Sequence, residues 1–396
     1  MNKVNEKTKR LISWMNGKAA PPYTIELVPT NRCNFSCKSC WRQKFSKKDL
    51  EKEYTNELSD KRLLKLIDEA AEIGVKEIAF VGGGEPLIRD ITPKLMKKIR
   101  HYDMEGDLVT NGSLLTKELI NSIVNMAWTR IKFSIDGSIA PLQNKLRGSK
   151  SFDKTKESIK KLSKIKKERK SEFPKIGFNV VISNINYKDL PNIVELAHET
   201  GCNEIMILPV TVFSQEGENL KLNKEQIQKF QKIIKKCLPR IKEYNIGSNM
   251  YEFLEEKYID HTNKMHEVMM EESGEKKEDP LENFMTAPCF EPWSHITIIA
   301  NGKIACCFND YVWNTDTNIK DKSLKEIWYG HYFEKYRKQI LTKNLTKACA
   351  TCCVWRVFES RTIRDKMKDY IDKKNKGLMI RFLDKLKCIA MKKRIG

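Results

Sequence analysis

No apolar run in this 396-residue sequence reaches the roughly 18 residues that a membrane-spanning helix needs. The N-terminal stretch MNKVNEKTKRLISWMNGKAA is charged throughout and lacks the apolar core of a secretory signal. A cytoplasmic location is therefore expected. Acidic residues are the minority, 52 Asp and Glu against 73 Lys and Arg, and the formal net charge is +21. The sequence nevertheless shows no nucleic-acid-binding motif and no basic face interleaved with aromatics, so nucleic acid is not an expected partner. Much of the excess sits in lysine runs such as Lys160, Lys161, Lys164, Lys166 and Lys167 on polar helix faces. Solvated charge is the simple reading of those runs, and an acidic partner or substrate the sharper one. Hydrophobic content of 40% supports a buried core and excludes wholesale disorder.

Cysteine, by contrast, is plentiful and clustered. There are 12. In a cytoplasmic chain thiols stay reduced, so clusters point to metal binding or chemistry rather than disulfides. Cys33, Cys37 and Cys40 lie together, Cys306 and Cys307 are adjacent, and Cys349, Cys352 and Cys353 are close. Cys289 stands a little before the second group, while Cys202, Cys237 and Cys388 are lone.

From residue 24 to about 210 short apolar runs alternate with helix-period segments. The expected strands are Thr24–Pro29, Glu77–Val81, Asp107–Thr110, Ile131–Ile135, Ile176–Ile182 and Glu204–Pro209. Helical periodicity falls near 59–73, 91–103, 116–127, 153–169 and 188–199, with Asp153 as a candidate cap. Such alternation builds parallel strands with right-handed crossovers. Six units are two short of a closed barrel, so the expected fold is α/β, a partial (β/α)6 TIM-type barrel. Its active site belongs at the C-terminal ends of the strands. The expected divisions are an N-terminal extension (1–22), the barrel (23–222), a helix and charged linker (223–285), a small cysteine-rich domain (286–360) and a basic helical tail (361–396).

Cys33-Asn-Phe-Ser-Cys37-Lys-Ser-Cys40 follows the first strand and so lies in the first βα loop. A structural zinc or a closed iron–sulfur cluster wants four ligands; three thiolates leave one metal position open. A zinc knuckle with its fourth Cys elsewhere is the alternative. This CxxxCxxC motif, with Asn34 and Phe35 inside it, resembles the radical S-adenosylmethionine (SAM) superfamily. The resemblance implies a [4Fe-4S] cluster on Cys33, Cys37 and Cys40 that binds SAM and, once reduced, cleaves it to a 5′-deoxyadenosyl radical. Gly82-Gly83-Gly84-Glu85-Pro86 after the second strand resembles the family's GGEP motif, whose segment holds the methionine amino group. By the same resemblance Thr110, Ser134 and Asp136 offer polar groups to SAM, Arg147 pairs with its carboxylate, and Asn179 lines the adenosine pocket. One departure is Ser39 where many members carry an aromatic residue before the third Cys; Trp41 follows it instead.

In the second group, Asn301-Gly302 between apolar runs reads as a tight hairpin that carries Cys307 toward Cys289. With Cys349 and Cys352 these make four thiolates, enough for one fully ligated [4Fe-4S] cluster or one zinc ion. Cys306 or Cys353 could replace its neighbour. This half resembles the SPASM and twitch extensions of radical SAM enzymes, and the cysteine count fits the shorter twitch form with a single auxiliary cluster. The resemblance implies an oxidoreductase in which that cluster accepts the second electron of a two-electron oxidation, as in dehydrogenation of a sugar- or cyclitol-like alcohol. Peptide maturation is the competing enzyme reading. About 22 residues precede the first strand, where peptide-modifying members usually carry a peptide-binding domain, and this counts against it. A non-catalytic metal-binding scaffold would need neither the GGEP motif nor the three-Cys loop. The expected electron donor is a flavodoxin or ferredoxin. In the tail, Leu378, Phe382, Leu386 and Ile389 form an apolar stripe opposite Lys and Arg, a candidate for peripheral contact with an anionic membrane.

Overall fold

The computed structural model describes residues 3–255, 265–274, 276–307, 317–346, 348, 349, 352 and 356–373. Cys353, Cys388 and the apolar stripe of the tail lie outside them. The strands are β1 (Thr24–Leu27), β2 (Glu77–Phe80), β3 (Glu105–Thr110), β4 (Arg130–Ser134), β5 (Lys175–Ile182), β6 (Glu204–Pro209), β7 (Gly247–Ser248), β8 (His295–Ile298) and β9 (Ile304–Ala305). They form one sheet in the order β7-β6-β5-β4-β3-β2-β1-β8-β9. Every neighbouring pair is parallel except the β8–β9 hairpin. The sheet curls into a partial barrel, as the alternation predicts.

Strand residues alternate between two environments, as the pleat requires. Ile25, Leu27, Ile78, Phe80, Leu108, Ile131, Phe133, Ile176 and Phe178 are buried in the apolar core. Their neighbours Glu26, Ala79, Asp107, Val109, Lys132 and Asn179 line the barrel lumen. The crossover helices form where periodicity and caps agree. Helix Asp60–Ile73 buries Leu63, Leu66, Ile67 and Ala70, is capped by Ser59, whose side chain accepts from Arg62 N, and ends at Gly74 in the left-handed region at φ 89°. Helix Phe152–Glu168 starts one residue earlier than expected: Asp153 falls in its first turn and Ser151 takes the N-cap position.

Two features departed from a simple strand–helix repeat. Residues 3–15 form a helix whose lysines reach inward: Lys3 meets Glu77 of β2 at 2.6 Å and Lys7 meets Glu359 of the helix over 356–373 at 2.8 Å. The charged spacing of that stretch masked its amphipathic face. The cysteine-rich region, in turn, is continuous with the barrel sheet, because β8 pairs in parallel with β1 in the register Thr24↔His295 to Leu27↔Ile298. The hairpin at Asn301-Gly302 is present, with Gly302 at φ 86°. Short helices Met265–Ser273 and Pro280–Met285 occupy part of the charged linker. Over 356–373 the tail is helical and packs inward, burying Val357, Ile363 and Met367, while Arg364 Nη1 donates to Ala287 O at 2.9 Å. Among the described residues no helix is long and apolar enough to cross a membrane.

Candidate active site

The loop after β1 is fixed from two sides before its thiols do anything. Lys38 N donates to Leu146 O at 3.0 Å and Ser36 Oγ donates to Gly148 O at 3.2 Å. On the other side Asn34 Nδ2 donates to Ser113 Oγ, and Asn111 Nδ2 donates to Asn34 Oδ1. Asn34, between the first two cysteines, is thus a clamp that ties the loop to the end of β3. Cys40 N donates to Cys37 O at 3.1 Å, turning the chain so that the three half-buried cysteines stay together. Burial pushes the Cys33 thiol up to about 11 and raises Cys37 and Cys40 as well. A bound iron–sulfur cluster reverses that preference, because its positive metal centres favour thiolate.

The glycine segment after β2 approaches this loop as closely as backbone can. A Cβ on Gly84 would stand 1.8 Å from Arg32 O, and one on Gly83, itself at φ 68°, would stand 2.2 Å from Val28 Cγ1. Gly84 N donates to Thr30 O and Glu85 N to Arg32 O, both at 2.8 Å. Trp41, whose indole Nε1 donates to Gly83 O at 2.9 Å, buttresses the same segment from outside. Glu85 is buried, and its carboxylate accepts from Thr110 Oγ1 at 2.7 Å, Asn111 N at 2.7 Å and Leu87 N at 3.2 Å. Glu85 and Thr110 therefore engage each other, which leaves the backbone of 82–84 as the part that faces the site. Pro86 begins a short turn whose carbonyl accepts from Thr92 Oγ1 at 2.6 Å.

Asp136 and Arg147 form a buried pair. Arg147 Nε meets Asp136 Oδ2 at 2.6 Å, and Asp136 Oδ1 also accepts from Arg147 Nη2 and from Val181 N, each at 2.8 Å. Burial alone would lower the guanidinium, but Asp136 and Cys37 outweigh it and hold Arg147 above its ordinary range. Arg147 thus stands against Cys37 with Asp136 behind it. Ser134 ends β4 opposite Asn179 in the β4–β5 register. Its carbonyl accepts from Gln143 Nε2 at 2.9 Å. Asn179 Oδ1 is buried with no hydrogen-bond partner and lines the lumen.

The second thiol set converges as its spacing suggests. Cys289, Cys307, Cys349 and Cys352 line one cavity of ≈ 210 Å³, together with Val81, Gly82, Val109 and Asn179 of the barrel. Cys307 borders that cavity; its neighbour Cys306 is buried outside the lining. Burial drives the Cys289 thiol well up, with Glu291, Cys349 and Cys307 nearby. Among the described residues no three His, Cys, Asp or Glu side chains close tightly on one point as a single ion asks. Four thiols around a shared cavity suit a cluster, which spreads its ligands over the corners of a cube. The donor sets of both sites therefore fit iron–sulfur clusters, one with three thiols and one with four.

Sequence reasoning missed the polar residues on the same cavity wall. Glu26, Glu291 and Arg356 line it, and His295 joins them. Arg356 bonds to both Glu26, at 2.8 Å, and Glu291, while His295 Nε2 lies 3.3 Å from Glu26 Oε2. The signal was the charge at alternate positions of short apolar strands, as in Thr-Ile-Glu-Leu.

The profile of the radical SAM superfamily matches residues 27–197, and that of the SPASM iron–sulfur cluster-binding domain matches 289–353. A tungsten-containing aldehyde ferredoxin oxidoreductase cofactor-modifying protein of Pyrococcus furiosus is 29% identical over 199 residues, 47% of this chain and 52% of that one. Fe-coproporphyrin III synthase of Methanosarcina barkeri is 32% identical over 43% of this chain and 39% of its own length. The chain thus spans about half or less of these two relatives. A PqqA peptide cyclase of Granulibacter bethesdensis is 24% identical over 347 residues, 84% of this chain and 80% of the relative. Among solved structures, Streptococcus suis SuiB bound to S-adenosylmethionine superposes with a TM-score of 0.63 at 15% identity, over 85% of this chain and 75% of that one. That likeness speaks for the fold. With both profiles matched and both cysteine sets in place, the chain belongs to the radical SAM superfamily, takes SAM and a [4Fe-4S] cluster in its barrel, and carries a SPASM-type domain for an auxiliary iron–sulfur cluster.

Proposed function

We propose that this radical SAM enzyme is an oxidoreductase that removes a hydrogen atom from a peptide substrate, passes the second electron to its auxiliary cluster and releases the accompanying proton to solvent. The observation that carries the reading is one cavity with two kinds of wall. Gly82 of the GGEP segment and the four auxiliary cysteines line the same space. A substrate there would lie between the glycine segment that lets SAM approach and the auxiliary cysteines. The PqqA peptide cyclase, aligned over 84% of this chain, supports a peptide as the substrate class. Dehydrogenation of a sugar- or cyclitol-like alcohol would use the same shared cavity, as would the twitch-type single cluster expected from the cysteine count.

When bound, SAM on the first cluster supplies the radical that accepts the substrate hydrogen. The chain's own residues do the positioning. Cys33, Cys37 and Cys40 hold the first cluster, and the Gly82–Gly84 backbone, free of side chains, lets SAM approach it. Glu85 fixes that segment to β3 through Thr110, with Pro86 setting its exit. The Asp136–Arg147 pair orders the loop beside Cys37. Ser134, ending β4, is placed for the nucleoside side, and Asn179, opposite it on β5, lines the lumen beyond. Cys289, Cys307, Cys349 and Cys352 hold the auxiliary cluster. Reduction comes from a flavodoxin- or ferredoxin-type donor, usually acidic and so suited to a chain of net charge +21.

The test is iron and sulfide per chain after anaerobic reconstitution, with a Cys349→Ala/Cys352→Ala variant alongside. About eight irons, falling to about four in the variant, are expected for two [4Fe-4S] clusters. The reconstituted enzyme with SAM and a low-potential reductant is then offered a peptide library and, separately, sugars and cyclitols. Peptide that loses two hydrogens, with loss abolished in the variant, supports the proposal. About four irons with a tightly held zinc, unaltered in iron by the variant, overturns the electron-acceptor role; turnover of the alcohols alone overturns the peptide.

A further inference from the structure

Below the cysteine-lined cavity the barrel lumen opens into a second space of ≈ 470 Å³. The two adjoin, sharing Glu26, Val81, Val109, Asn179 and Arg356 as lining, so a substrate in the first lies next to the second. The lumen is strongly charged, and its charges are almost all matched. From the N-terminal helix, Lys3 pairs with Glu77 of β2 at 2.6 Å and Lys7 with Glu359 of the C-terminal helix at 2.8 Å. Lys132 of β4 pairs with Asp107 of β3 at 3.0 Å. Glu26 of β1 has Arg356 at 2.8 Å and His295 of β8 at 3.3 Å.

Glu252 is the exception among the lining carboxylates. It lies in the turn Met250–Leu254 that runs beside β6, where Asn249 exchanges hydrogen bonds with Ile207. Its Oε2 is buried with no hydrogen-bond partner, and among the described residues no cation compensates it. Glu252 as a whole is half-buried, but an inaccessible carboxylate oxygen with no donor and no cation beside it is costly and calls for a proton or a cation. Burial, opposed by Asn249, pushes Glu252 up to about 7. A second orphaned acceptor, Asn179 Oδ1, lines the same cavity, and Met206 and Leu208 of β6 give it an apolar wall. Two acceptors seeking donors, one anionic, beside an apolar strip suit a long aliphatic stem with a cationic tip.

We infer that the barrel lumen is a receptor for an alkylammonium side chain of the substrate, with Glu252 as its carboxylate partner and Asn179 as a second acceptor. The inference rests on the reading that a substrate enters the barrel, and it narrows that substrate to a peptide that presents a lysine. Binding then supplies the missing positive charge, and near pH 7 Glu252 releases its proton to solvent as the ammonium arrives.

The experiment uses the reconstituted full-length enzyme with SAM and two probes, Nα-acetyl-lysine amide and Nα-acetyl-norleucine amide, which differ by the ammonium group. Calorimetry at pH 8 is expected to show the lysine probe binding at least about tenfold more tightly. Glu252→Gln should bring the lysine probe down to the norleucine level, and Glu252→Asp, should the first variant fold poorly, should weaken it less. Sign matters for pH. Protonation of Glu252 removes the partner, so lysine-probe affinity is flat above about 7 and falls toward about tenfold per unit below it, whereas norleucine binding and the Gln variant stay flat. Equal affinity for the probes, absence of binding by both, or a lysine preference that survives Glu252→Gln overturns the inference. None of these outcomes depends on turnover, so iron content and peptide oxidation judge the proposed function separately.

Discussion

Glu85→Gln is the sharpest probe of how the SAM site is organised. The carboxylate accepts three hydrogen bonds, two through Oε1 from Thr110 and Leu87 and one through Oε2 from Asn111 N. Glutamine keeps one acceptor oxygen. If that oxygen stays with Thr110 and Leu87, the new amide group faces the Asn111 N–H, donor against donor. One charge-assisted bond is lost and a buried N–H is orphaned; each is worth about 1–3 kcal/mol. Part of this is offset, since burial already disfavours the charged form and raises the carboxyl. A net loss of about 2 kcal/mol is the working figure. It falls on the contact that ties the Gly82–Gly84 backbone to the end of β3, so SAM affinity should drop by about tenfold or more. Equilibrium dialysis of SAM on the reconstituted protein reads the affinity, and denaturant unfolding reads the stability. Combining the change with Thr110→Val should give far less than the sum of the two, because both act through one network. A Gln variant that binds SAM within about twofold of wild type and unfolds at the same denaturant concentration would refute this account of the site.

Two other perturbations follow from the buried charges. Arg147→Gln leaves Asp136 buried without its cation, and breaking such a pair costs about 3–5 kcal/mol; iron per chain should fall by the content of the first cluster while auxiliary iron is retained, and an unchanged iron count would show that Arg147 does not order the Cys37 loop. Glu26 is the acid-sensitive joint. Burial would raise its carboxyl, but His295 and Arg356 outweigh burial and hold it at about 2. A carboxyl depressed in the folded state stabilises the fold above the ordinary carboxylate range and stops doing so as pH falls toward about 2. Glu26→Gln should therefore flatten the pH dependence of unfolding across that acid window, measured by denaturant midpoint; a variant as acid-sensitive as wild type would contradict it.

The barrel was legible because each of its cues is local. Period-2 runs such as Lys-Ile-Gly-Phe-Asn-Val-Val-Ile and a Ser59 cap with a Gly74 stop leave little choice of element. The three-Cys loop and the GGEP segment were legible because their chemistry needs residues close in sequence. What escaped depends on pairing across long separations. Arg147 belongs to Asp136 and Cys37 only once the helix Ala140–Arg147 is folded back over the first loop. Arg356 meets Glu26 across 330 positions, and Lys7 meets Glu359 across 352. No periodicity encodes such partners. The short turn carrying Glu252 looked like the start of a charged linker, since a lone acid in an acid-rich stretch has no pattern to distinguish it.

The junction between barrel and SPASM-type region shows why the auxiliary cysteines end up where a substrate can meet them. A separate small domain on a linker would leave the distance between the two redox centres to chance. Here β8 extends the barrel sheet beside β1, so Cys289, six residues ahead of β8, and Cys307, two residues past β9, inherit the rigidity of the sheet. The Glu26–His295–Arg356–Glu291 network then locks the start of the helix over 356–373 to the same strand pair. The three-Cys loop follows β1 while Cys289 and Cys307 flank the β8–β9 hairpin, so the two thiol sets hang from adjoining strands; under the proposed function that would hold the two clusters at one separation. The lumen charges extend the same logic: the ion pairs Lys3–Glu77, Lys132–Asp107 and Arg356–Glu26 make rigid walls, and among the described residues Glu252 is the lining carboxylate with no cation beside it, which is why we assign it to a cationic substrate group.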